Sequence, residues 1–100
     1  MTNTNCKEFK TSSLSQNIIL AAEIANINIT KTKTGKNPGL EMSFLTIEDQ
    51  YGLLDSVILF PEQYSKYRDH LIPGNILVFV GSRSKSKDAL IVEKCFMPAA

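Results

Sequence analysis

Six of the eleven Lys and Arg residues crowd into two short polar runs: Lys31, Lys33 and Lys36 in TKTKTGK, and Arg83, Lys85 and Lys87 in SRSKSK. Cations set this close together on loops neutralise successive phosphates, which makes an electrostatic track for a nucleic-acid backbone. Only Glu41 and Asp88 dilute the two segments, and the other eight of the ten acids lie elsewhere. The net charge of +1 hides this partition, so the distribution is informative where the total is not. The competing reading is that Lys-rich loops merely keep a chain soluble.

A single-strand binder also needs flat side chains on which bases stack, each worth about 1–3 kcal/mol. Phe44 in MSFLTIED and Tyr51 in the turn after it are the first candidates, with Phe79 and Phe96 further on. Aromatic residues make up only 8% of the chain and Trp is absent, so the platform is thin and weak, sequence-tolerant binding is expected.

Catalytic chemistry finds less support. His70 is the sole histidine and stands beside Asp69 in a helical stretch, with no Cys or Ser in a nucleophile-like context, so it reads as a surface residue. No His or Cys cluster has metal-ligand spacing. Glu48 and Asp49 adjoin at a strand end, where neighbouring side chains point to opposite faces and cannot flank one bond. Gly35 and Gly81 belong to no phosphate-cradling motif. Cys6 and Cys95 are too few and too far apart for a disulfide framework or a zinc site; a reduced Cys6 on a polar tail and a buried Cys95 are expected. Neither enzymatic activity nor a metal or cofactor is expected.

The elements that must position the loops follow from periodicity. One hundred residues suit one domain. Residues 1–16 are rich in Thr, Ser, Asn and Lys without periodicity and read as a flexible tail or linker, leaving 17–98 as the domain. From Asn17 to Ile29 the apolar positions alternate but change parity after Ile24, which requires a bulge near Ala25 or Asn26. Met42 to Glu48 alternates as a second strand, and Asp49-Gln50-Tyr51-Gly52 is a turn. Leu53 to Phe60 is a third strand, closed by Pro61, which suits the first turn of a helix. In PEQYSKYRDHLI, Phe60, Tyr64, Tyr67 and Leu71 recur at helical steps as one apolar stripe. Ile76 to Gly81 and Ala89 to Met97 are the last two strands, joined by the basic run Ser82 to Asp88.

This order predicts an all-β, five-stranded OB-fold barrel with one α-helix between strands 3 and 4. In that fold the loops joining strands 1 and 2 and strands 4 and 5 flank the face of strands 2 and 3, where single-stranded nucleic acid or oligosaccharide lies. Those are the two basic runs here, a coincidence that weighs against mere solubility. Nothing in the chain approaches the roughly 20 apolar residues of a membrane span, and no secretory signal opens it, so cytoplasmic residence is expected.

The runs TKTGK, MSFLTIED, YG, LFPEQYSKYRDHL, PG and LVFVG, between Ile18 and Met97, resemble the OB-type nucleic-acid-binding domain near the C-terminal end of the bacterial replicative DNA polymerase III alpha subunit. Glu23 stands where that family usually has glycine, and NPGLE reads as an insertion in the first basic loop. The resemblance implies a non-catalytic module of DNA replication. It would contact single-stranded DNA, or RNA, through Lys31, Lys33, Lys36 and the face of strands 2 and 3, with other replication proteins as further partners. A protein-docking barrel with its groove unused is the alternative, and an oligosaccharide-binding barrel a third reading.

Overall fold

The computed structural model describes residues 3–11, 16–32, 39–84 and 89–98. Strand β1, Ile18–Lys31, is 14 residues long and serves two partners. Its first half pairs with β4, Ile76–Arg83, and its second half with β2, Glu41–Asp49. The β1–β2 register shifts between Ile24 and Asn26, so Ala25 is the extra residue and the expected bulge is present. Before it Ile18, Leu20, Ala22 and Ile24 point inward; after it Ile27 packs against the core while Asn26 and Asn28 are exposed.

Strand β3, Gly52–Leu59, returns antiparallel to β2, and β5, Leu90–Phe96, lies parallel to β3 through Val57↔Leu90 and Ile58↔Ile91. The strands close in the order β1-β2-β3-β5-β4, with a helix between β3 and β4, which is the expected OB barrel. Leu20, Ile24, Leu45, Ile47, Val57, Leu77 and Phe79 fill it. Phe79 is fully buried and is removed from the stacking candidates.

The helix α2, Pro61–Tyr67, begins at its proline and passes into a 3-10 turn over Arg68–His70. Tyr64 and Leu71 are buried and Tyr67 packs partly against the core, as the stripe requires. Phe60 does not join them: it is the N-cap residue, still extended at φ −68° and ψ 166°, and it is exposed.

Within the segment expected to be an unstructured tail, residues 1–16, the described residues 3–11 are ordered against the barrel. A helix, α1, spans Cys6–Thr11, and its Cys6 and Phe9 lie within the barrel's core cluster. Asn5 caps it, its Oδ1 accepting from the backbone N–H groups of Lys7 and Glu8 at 3.0 and 2.8 Å. Asp49 ties it to the β2–β3 turn: Oδ2 accepts from the Cys6 N–H at 2.9 Å, and Oδ1 from the Tyr51 and Gly52 N–H groups at 2.8 and 3.1 Å. Cys6 is therefore buried by a docked helix.

Partial burial works against the Asp49 charge, but the hydrogen bonds from Cys6, Tyr51 and Gly52 outweigh it and hold the carboxyl below its ordinary range. A depressed folded-state pKa means that its stabilisation is complete above the unfolded value of about 3.9 and is lost as pH falls through the folded one. Asp49→Ala should therefore cost about 1–3 kcal/mol at neutral pH. Urea unfolding should show the gap between wild type and variant closing below about pH 4. A gap of constant size from neutral pH to pH 3 would contradict this assignment.

Candidate nucleic-acid interface

The register assembles one outward-facing rung, Asn28–Phe44–Ile58–Ile91, across β1, β2, β3 and β5. The alternating partners Ser43, Leu45, Val57 and Leu59 are buried, which forces Phe44 and Ile58 to the outside of the barrel. Phe44 is 39% exposed. Phe60 follows Ile58 by two residues in extended chain, so it shares that face, and it is 43% exposed. Because Ser43 faces Leu59, Phe60 falls beside Met42 and diagonal to Phe44, within reach of an aromatic side chain. Met42, Phe44, Ile58 and Phe60 thus form an apolar, aromatic patch bordered by Asn28 and Thr30. In sequence Phe60 fits the helical stripe; its parity with Ile58 is the signal that places it here.

Arg83 ends β4 on the rung that runs through Leu90, Val57, Leu45 and Ile27. Lys31 ends β1 four residues beyond Ile27, exposed and opposite Glu41. Two residues back from Arg83, Gly81 faces Ile18, so this rung re-enters β1 near Gln16 and not at Ile27. The strands are therefore steeply tilted, and the diagonal from Lys31 to Arg83 runs along one side of the barrel with Phe44 and Ile58 between them. At about 3.3 Å per residue and 4.8 Å per strand, the two loop bases stand roughly 20–25 Å apart.

The individual cations and rings differ from expectation in three places. The Arg83 guanidinium lies 4.0 Å from the centre of the Phe9 ring and its Nη2 donates to the Phe9 carbonyl at 2.5 Å, so it holds α1 to the barrel in place of extending toward the patch. Tyr51 is exposed but stands seven residues from Phe44, beside Asn5, Lys7 and Glu8 in a concavity of about 330 Å³ next to α1. The structure does not bring it to the patch. Phe96 is exposed on β5, outside the rung that holds Phe44. Lys33, Lys36, Lys85 and Lys87 lie outside the described residues.

Burial pushes the Cys95 thiol up to about 11, His70 is exposed on the 3-10 turn, and no group of His, Cys, Asp or Glu among the described residues is placed to hold a metal ion. What the arrangement offers is an exposed apolar surface between the end of β1 at Lys31 and the end of β4 at Arg83.

Fold and patch together define an OB-fold domain. The chain is homologous to a short segment of DNA polymerase III subunit alpha. It is 36% identical over 77 residues, 77% of this chain, to that subunit from Streptococcus pyogenes serotype M3, and 34% identical over 70 residues to that from Borreliella burgdorferi. The chain spans about 7% of the length of the first of these relatives and 6% of the second. No family profile and no solved structure matches it. Among the described residues no helix is long and apolar enough to cross a membrane.

Proposed function

We propose that the chain is a non-catalytic module that binds single-stranded DNA in DNA replication, in the cytoplasm, as the similarity to DNA polymerase III alpha subunits suggests. The observation that supports this reading most directly is the exposed Phe44–Phe60 patch set between the bases of two basic loops. Bases stack on the two rings while the sugar-phosphate chain follows the line from Lys31 toward the β4–β5 loop. Asn28 and Thr30, beside the rings, offer hydrogen bonds to base edges without enforcing a sequence. Among the described residues the binding surface carries no base-reading fork, so affinity is modest and tolerant of sequence.

Anisotropy titration of a labelled oligothymidylate over a series of salt concentrations tests the proposal. If about three to six cations meet phosphates, log affinity against log salt should fall with a slope of about −2 to −4, at roughly −0.7 per contact for a single strand. An oligoribonucleotide of the same length, run in parallel, gives the preference between DNA and RNA. A signal that stays flat at low salt would overturn the proposal in favour of protein docking alone.

A further inference from the structure

A second rung crosses the outside of the barrel, reaching β2 at Glu48, four residues along the strand from Phe44. Ile76 of β4 pairs with Glu23 of β1, Glu23 with Glu48 of β2, and Glu48 with Leu53 of β3. All four side chains alternate with buried neighbours and face solvent, Ile76 being 51% and Leu53 43% exposed. Beyond this rung Ala21 faces Val78, which is buried, and Val78 faces Phe96, which is 40% exposed. Ala21, Glu23, Glu48, Gln50 and Ile76 line a concavity of about 430 Å³ at its centre.

Two carboxylates directly opposite each other on adjacent strands destabilise a sheet. Among the described residues neither Glu23 nor Glu48 has an ion-pair partner, unlike Asp49 beside them, whose oxygens are taken up by backbone N–H groups. Folding alone gives no reason to oppose these two acids between exposed aliphatic side chains. A cation placed over them from outside removes the repulsion, and apolar groups flanking that cation cover Ile76 and Leu53.

We infer that this face docks a segment of a partner protein that presents a Lys or Arg between apolar side chains. The cation sits over the Glu23–Glu48 pair and the apolar flanks lie on Ile76 and Phe96 on one side and Leu53 on the other. Nucleic acid is excluded from this surface by the same carboxylates, so the barrel holds a protein here while the Phe44 patch stays free. The inference stands on its own geometry and does not depend on the nucleic-acid reading.

The probes are two short labelled peptides, one with Leu and Lys alternating and one with Glu in place of each Lys. The Lys peptide should bind at low salt and release as salt rises, and the Glu peptide should bind at least about tenfold more weakly. The double variant Glu23→Gln/Glu48→Gln should lose at least about tenfold in affinity for the Lys peptide, and Ile76→Ser should weaken it too. Glu23→Lys should abolish that binding while raising the melting temperature, because it places opposite charges across β1 and β2. A binding defect from misfolding would instead lower it. Oligothymidylate binding by the double variant should match wild type, which keeps this outcome separate from that of the aromatic patch. Equal affinity for the two peptides, or no response to the Gln pair, would overturn the inference.

Discussion

Replacing Phe44 and Phe60 together by Ala should weaken oligothymidylate binding by about 2–6 kcal/mol, at least about thirtyfold in affinity. The magnitude follows from two stacked bases losing their platforms at about 1–3 kcal/mol each. The rings are 39% and 43% exposed and lie outside the core cluster, so the double variant should lose about 1–3 kcal/mol of stability and remain folded. A second readout separates stacking from charge. No cation is removed, so the salt slope should be unchanged, whereas Lys31→Ala should flatten it by about 0.7. Anisotropy titration at three or more salt concentrations reads both quantities, and an affinity within about threefold of wild type would rule the patch out as the base-stacking surface.

That patch shows how far periodicity carries. The bulge after Ile24, the inward set of β2 and the proline that opens α2 are legible because each leaves a local trace: a parity change, an alternation, a residue with fixed φ. Phe44 is legible for the same reason, once Ser43, Leu45 and Ile47 are read as the inward set. Phe60 is ambiguous because it satisfies two patterns at once, two residues from Ile58 on a strand and four from Tyr64 on a helix. Only the extended backbone at Phe60 decides between them.

The first helix leaves no such trace. Six residues give too few turns for an apolar stripe, and Cys6 and Phe9 alone among polar neighbours resemble a tail. Its stability comes from partners remote in sequence: Asp49, 43 positions from Cys6, and Arg83, 74 positions from Phe9. The same remoteness explains why Arg83 reads as one more cation of a basic loop. Its guanidinium is used by a helix that periodicity does not reveal, and that use shifts the positive charge available to a ligand toward the rest of the two basic runs.

Gly81→Ala should be the most damaging single substitution in the barrel, costing at least about 3 kcal/mol and lowering the melting temperature by roughly 15–20 °C. The cause is proximity. Gly81 lies where the β4–β5 register shifts between Val80 and Gly81, and there the β5 backbone crosses close over β4. A Cβ at this position would overlap the Ile91 carbonyl oxygen and stand 2.9 Å from its carbon, so the obstacle is main chain that no rotamer change can move aside. Relief requires β5 to shift, yet Ile91 and its neighbour Leu90 are the two residues that join β5 to β3 and close the barrel. The damage therefore reaches the interface as well: Arg83 is two residues beyond Gly81, and Ile91 borders Ile58 on the face that carries Phe44. Thermal unfolding by circular dichroism reads the stability term. Adding oligothymidylate should recover only part of the lost melting temperature, because the distorted face binds it more weakly and the stabilisation, which grows with the logarithm of ligand concentration over Kd, shrinks as Kd rises. A melting temperature within about 5 °C of wild type would mean that the two strands can separate without cost, and would remove Gly81 as the residue that sets the closure of the barrel.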